Sequence, residues 1–251
     1  MPTHALTSGE WARRSRRVTV ARLGWRSLHL PDLNPQRVIA SLGILIIGFL
    51  LGMRHATDAD HVVAVTTIVS RQASLARAAT IGALWGLGHT ATLLVVGGAM
   101  ILFKLAMPPW LGLTLELLVA VMLVVLGLVS VLGGDRSSRV LESNSRPLVV
   151  GTVHGMAGSA AFTLLALPLI ASPILAAGYL LLFGVGTIAG MVVVTIAIAL
   201  PSLYAASRMD RARHTLRLAA GVASIAFGLY LAHQVGFVDG LFTGAPQWTP
   251  K

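Results

Sequence analysis

Residues 38–69 read VIASLGILIIGFLLGMRHATDADHVVAVTTIV, an apolar run with a charged cluster at its middle. At 1.5 Å per residue, one straight helix of about 32 residues would be about 48 Å long. The hydrocarbon core of a membrane is only about 30 Å thick. The run therefore predicts a membrane helix that is broken or strongly tilted near the cluster, which consists of Arg54, His55, Asp58, Asp60 and His61.

The rest of the chain is equally apolar. It is 55% hydrophobic and 11% charged, whereas soluble domains carry about 25% charged residues. Its apolar runs are continuous rather than alternating, which indicates helices and not barrel strands. We predict an all-α polytopic protein of the cell (inner or plasma) membrane with about six transmembrane segments. These are residues 38–69, 78–103, 108–132, 147–171, 174–200 and 215–235.

The two halves of the chain carry matching patterns. Offsets of 99, 98 and 101 residues relate Gly52–His55 to Gly151–His154, Gly86–His89 to Gly184–Thr187, and Gly127–Leu128 to Gly228–Leu229. A repeat of three spans must be inverted in the membrane, as in many secondary transporters. We predict one transmembrane domain over 38–236, built from two inverted three-helix repeats at about 38–133 and 147–236. Residues 237–251 are interpreted as a C-terminal tail.

Arginines account for most of the net charge of +10. Residues 1–37 form a basic tail that is either disordered or an amphipathic helix on the membrane surface. By the positive-inside rule, arginines after segments one, three and five make those connections cytoplasmic and both termini external, although the seven-arginine tail argues for the reverse. This placement indicates contact with the lipid bilayer rather than with nucleic acid. The loop arginines are Arg71, Arg77, Arg136, Arg139, Arg146, Arg208, Arg211 and Arg213, with Arg217 at the next helix start.

The charged cluster carries metal-binding chemistry. On a straight helix His55, Asp58 and His61 would span about 120° of one face, while Asp60 would point about 100° away from His61. A break in the helix could bring in this fourth side chain. Imidazole with carboxylate suits Ni²⁺, Co²⁺ or Zn²⁺, and the absence of cysteine excludes thiolate ligands. The alternative is a charged loop at the membrane surface.

Residues Arg54–His61 read Arg-His-Ala-Thr-Asp-Ala-Asp-His. This stretch resembles the signature of the nickel/cobalt transporter family, Arg-His-Ala-x-Asp-Ala-Asp-His. Residues Leu87–Thr90 resemble the family's next element, Leu-Gly-His-Ser/Thr, and the resemblance extends over about residues 38–105. It implies that His55, Asp60 and His61 recognise metal, with His89 as a further contributor. In its second half the chain looks more like the short six-span branch of urease-accessory membrane proteins.

Other histidines are weaker candidates. His89 is either a ligand or a neutral histidine bonded to a neighbouring helix, and His154 stands at the repeat position of His55. Ser159 stands at the repeat position of Asp60 and could offer a neutral oxygen. The remaining residues are interpreted as solvated or interfacial: His4, His29, His214, His233 and Glu116.

These patterns favour a permease for a divalent transition-metal ion, with Ni²⁺ or Co²⁺ as the expected ion. It would work by alternating access at an intramembrane His/Asp site. The metal is then the transported substrate, and no other cofactor is expected. One alternative is a non-transporting accessory that supplies nickel to a maturation system for urease or hydrogenase. Another is an acyltransferase with a His-x4-Asp motif at His55 and Asp60, which is disfavoured because the chain has little extramembrane structure. We therefore expect no enzyme activity.

Overall fold

The computed structural model describes residues 34–70, 72, 74–103, 108–133, 145–156, 170, 172–206 and 210–247. Most of the basic tail, four of the loop arginines (Arg71, Arg136, Arg139 and Arg208) and Ser159 lie outside these residues. Residues 40–251 form one unit, and of the preceding unit the structure describes residues 34–39. The described residues form seven α-helices and no strand. The helices are α1 Pro35–His55, α2 Ala59–Val69, α3 Leu75–Phe103, α4 Pro109–Leu132, α5 Ser145–Gly155, α6 Pro173–Ala206 and α7 Asp210–His233, and a π-helix over Gln234–Val238 follows.

Five of the described helices are long and apolar enough to cross a membrane: Pro35–His55, Leu75–Phe103, Pro109–Leu132, Pro173–Pro201 and His214–Val238. Their outer surface is apolar, with Val95 73% and Leu229 58% exposed, whereas His61, His89 and His154 are fully buried. This inside-out arrangement suits a lipid surrounding and is the reverse of a soluble core. The chain is a multi-pass membrane protein, as predicted. Within the predicted segment 147–171, the structure describes only residues 147–156 and residue 170.

The first apolar segment is broken, which is one of the two forms, broken or strongly tilted, that its length predicted. Helix α1 ends at His55, and α2 begins at Ala59 after a three-residue turn. The Thr57 hydroxyl and backbone N–H both donate to the carbonyl of Arg54 and close this turn. Asp58 then adopts an extended conformation with φ −61° and ψ 146°, which a continuous helix does not allow. Helix α2 has 11 residues and spans only about half a membrane core.

The boundaries at the C-terminal end differ from the predicted ones. The fifth segment was predicted to end before Pro201, but α6 continues through Pro201 to Ala206. Proline loses one backbone hydrogen bond, and membrane helices tolerate this because neighbouring groups satisfy the freed carbonyl. The start of the predicted tail is folded, since Phe242 N–H donates to the carbonyl of Gly236 and Gln247 N–H to that of Asp239.

Glycines bring helices of the two halves into reciprocal close contact. A side-chain carbon at Gly52 on α1 would overlap the carbonyl oxygen of Phe183 on α6. At Gly151 on α5, the repeat position of Gly52, it would overlap the carbonyl oxygen of Trp85 on α3. A twofold relation between the halves would produce this exchange of partners. Further reciprocal pairs are Gly88 with Leu148 and Gly186 with Phe49, and Gly127 with Gly221 and Gly228 with Ala120.

We expect Gly52→Ala to destabilise the folded protein by about 1–3 kcal/mol, because the added methyl group meets backbone that cannot yield as a side chain can. Gly43 lies on the same helix, and a carbon added there meets nothing within 4 Å. Gly43→Ala is therefore the matched control, and its stability should stay within about 1 kcal/mol of wild type. The measurement is the thermal midpoint at which the detergent-solubilised protein loses its monodisperse gel-filtration peak. Equal midpoints for the two variants would contradict the packing argument.

Candidate metal centre

The break between α1 and α2 presents His55 to the interior. The Nδ1 atom of His55 lies 2.8 Å from Oδ2 of Asp58. A carboxylate only accepts, so Nδ1–H of His55 is the donor, and the neutral ring then has its free lone pair at Nε2. That Nε2 atom lies 3.2 Å from Nε2 of His89 on α3. A carboxylate behind a histidine is the usual partner that orients a metal-binding imidazole.

The first turn of α2 supplies the next two side chains. Oδ1 of Asp60 accepts the backbone N–H of His61 at 2.9 Å and lies 3.2 Å from Nδ1 of the same residue. Its other oxygen, Oδ2, lies 3.1 Å from Nε2 of His154 on α5. This last contact does not have the alignment of a hydrogen bond, although its distance is short. Asp60 thus connects the first half of the chain with the second.

The potential ligands form two overlapping groups among the described residues. One group consists of His55, His61 and His89, and the other of Asp60, His61 and His154. Within each group the ligand atoms lie within 4.8 Å of one another. Imidazole nitrogens bind ions such as Zn²⁺ at about 2.0–2.1 Å, so two ligands of one ion lie about 2.9–3.4 Å apart. The 3.2 Å between the Nε2 atoms of His55 and His89 already fits this spacing.

Several buried ring nitrogens of the cluster have no hydrogen-bond partner in the described part of the chain. They are Nε2 of His61, Nδ1 of His89 and both nitrogens of His154. A buried polar atom without a partner costs about 1–3 kcal/mol. Each neutral imidazole has one free lone pair that a bound cation could accept, so the cluster offers the donor atoms of a candidate metal site.

Two aromatic side chains that the sequence reasoning missed form the apolar wall of the cluster. The ring of Trp85 lies 5.8 Å from that of His154, and the ring of Phe183 lies 5.5 Å from that of His55. Trp85 and Phe183 stand 98 residues apart, which is the offset that relates Gly86–His89 to Gly184–Thr187. The sequence signal that could have found them is an aromatic residue immediately before each Gly-x-Gly stretch, Gly86–Gly88 and Gly184–Gly186. An apolar shell of this kind controls solvent access to a metal.

Not every candidate side chain takes the predicted place. The structure brings together His55, Asp60, His61, His89 and His154, but Asp58 belongs to neither ligand group. Its side chain is 39% exposed and contacts the outer nitrogen of His55. The turn at residues 56–58 rotates Asp58 outward and Asp60 inward, which reverses the straight-helix expectation. His214 and His233 are exposed.

The fold and this cluster together define a multi-pass helical membrane protein with an intramembrane site of histidines and one carboxylate. Over 218 residues the chain is 34% identical to the urease accessory protein UreH of Bacillus sp. (strain TB-90), covering 80% of this chain and 95% of that protein. The chain therefore belongs to the family of urease accessory protein UreH. No protein-family profile matches it, and no solved structure matches it.

Proposed function

We propose that this protein is a membrane permease for Ni²⁺ or Co²⁺ that binds the ion at the buried histidine and carboxylate cluster. The observation that carries the proposal is the convergence of four buried histidines and Asp60 inside a bundle whose outside is apolar. Such groups are expensive in a membrane and mark ion pathways by default. The candidate ligands come from both halves of the chain. Secondary transporters with inverted repeats hold their substrates at the interface between the repeats.

The ligand set favours a late first-row dication. Neutral imidazoles with one carboxylate bind Ni²⁺ and Co²⁺ well, whereas Mg²⁺ and Ca²⁺ prefer oxygen ligands. The relative UreH is named a urease accessory protein, and urease is a nickel enzyme. This supports nickel as the physiological ion and a nickel-enzyme maturation system as the destination.

A non-transporting accessory that holds nickel for enzyme maturation is the second candidate, and the name of UreH, a urease accessory protein, favours it as much as it favours a permease. The acyltransferase hypothesis loses support from the geometry. It requires Asp60 to orient His55, but the partner of His55 is Asp58, and Asp60 contacts His61 and His154 instead.

Transport by the purified protein separates the permease from the accessory. We expect proteoliposomes that contain it to accumulate radioactive Ni²⁺ and Co²⁺ faster than protein-free vesicles, with a tenfold excess of Mg²⁺ having little effect. A non-transporting accessory would instead bind metal at the membrane without any counts in the vesicle lumen. Release of the counts by a permeabilising detergent, but not by an external chelator, distinguishes transport from binding.

Asp58→Asn should reduce metal uptake by about 10- to 100-fold, because loss of a carboxylate behind a metal-binding histidine weakens orientation and basicity of the ring. The amide is nearly isosteric, and the side chain is partly exposed, so protein levels should not change. The measurement is the apparent affinity for Ni²⁺ in uptake by intact cells. An affinity equal to that of wild type would show that Asp58 serves only the turn between α1 and α2.

A further inference from the structure

The two ligand groups share His61 and no other residue. The ring of His61 lies 4.6 Å from that of His55 and 4.1 Å from that of His154, between centroids. His55 and His154 occupy equivalent positions of the two repeats, at an offset of 99 residues. His61 therefore stands between two imidazoles that the internal symmetry of the chain makes equivalent.

The groups differ in origin and charge. His55, His61 and His89 come from α1, α2 and α3, all in the first half, and form an all-imidazole position. The second position replaces the α1 and α3 ligands with Asp60 on α2 and His154 on α5. An ion that moves from the first position to the second would exchange His55 and His89 for Asp60 and for His154 of the second half.

A single ion cannot use all five side chains at once with the rings where they lie. Only within each group are the ligand atoms all within 4.8 Å of one another, as far as the described residues go. The rings of His89 and His154 are 6.0 Å apart between centroids. A neutral imidazole also has one free lone pair, so His61 can serve one position at a time.

We propose that the site holds one divalent cation in two alternative positions that share His61, and that transport passes the ion from one position to the other. The proposal rests on the permease function proposed above. His61 is the ligand that the ion keeps during the exchange. The ion is therefore never released into the apolar interior, where an unpaired dication would be strongly disfavoured.

Mutually exclusive positions make a quantitative prediction about binding. The association constant of wild type is then the sum of the two position-specific constants. His89→Ala removes a ligand of the first position only, and His154→Ala removes one of the second only. At least one of these variants must therefore retain about half of the wild-type association constant or more. A single site built from all five ligands would instead lose about tenfold or more in both variants.

The experiment is Co²⁺ titration of the purified proteins in detergent, followed by the visible absorption of the bound ion. We expect one Co²⁺ per wild-type chain, different spectra for the two single variants, no binding by the double variant, and loss of uptake in each single variant. The same pair is made as His89→Gln and His154→Gln, which retain more side-chain volume, so that misfolding of an alanine variant does not decide the result.

Three binding results would overturn the two-position proposal while leaving a metal permease intact. They are a tenfold or greater loss of affinity in both single variants, identical spectra of the two variants, and two Co²⁺ ions per wild-type chain, which requires a bridging imidazolate. Wild-type uptake by either single variant would also overturn it, because the relay needs both positions. Failure of the wild type to bind Co²⁺ at all would overturn the proposed function itself.

Discussion

His61→Ala is expected to abolish uptake of Ni²⁺ and Co²⁺, with a loss of more than about 100-fold, because His61 alone belongs to both ligand groups. Substitutions behind a metal ligand already cost 10- to 100-fold, and loss of a shared ligand should exceed that. Folding should survive. The cavity left by the ring destabilises the protein, but removal of a buried nitrogen without a partner among the described residues offsets part of this.

Radioactive uptake at low metal concentration by intact cells measures the effect, with the amount of inserted protein checked by immunoblot. His214→Ala is the matched control, since His214 is exposed and its side chain forms a hydrogen bond with Arg217, away from the cluster. Its uptake should equal that of wild type. Normal uptake by His61→Ala protein at normal levels would remove the main support for the permease. Disappearance of the protein would identify His61 as a residue required for folding.

The membrane class and the helix order could be predicted from the sequence because apolar run length is a local property that lipid thickness constrains directly. The break after His55 was also accessible, since residues 38–69 are too long and too charged at the middle for one straight crossing. The passage of α6 through Pro201 was not accessible. Whether proline ends a membrane helix depends on neighbouring groups that satisfy the freed carbonyl, and those belong to other helices.

The side chains that converge in the candidate site could be named from the sequence, but their arrangement could not. Spacing on an ideal helix placed Asp58 with His55 and His61 and directed Asp60 away. The three-residue turn directs Asp58 outward and Asp60 inward, because a break in a helix changes the direction of every later side chain. The contact of Asp60 with His154 depends on helix packing between the halves, and only the repeat offset pointed to His154 at all.

The inward position of Asp60 leads to a second prediction with a large expected effect on metal uptake. Asp60→Asn is expected to reduce uptake of Ni²⁺ by more than about 100-fold, because outer partners alone account for 10- to 100-fold, Asp60 is a carboxylate in one of the two ligand groups, and transfer of the ion needs both groups. The amide keeps an oxygen that can accept the backbone N–H of His61, as Oδ1 does now at 2.9 Å. The variant therefore removes negative charge from the site while retaining the first turn of α2.

Asp58→Asn is the matched variant for Asp60→Asn, because both convert one carboxylate of the same seven-residue stretch into an amide. A straight helix ranks Asp58 as the ligand and makes its loss the more severe. The broken helix ranks Asp60 first, since it lies 3.1 Å from His154, while Asp58 contacts the outer nitrogen of His55. Initial rates of Ni²⁺ uptake by intact cells that contain equal amounts of the two variants decide the order. A larger loss for Asp58→Asn would contradict the inward position of Asp60 as the basis of metal binding.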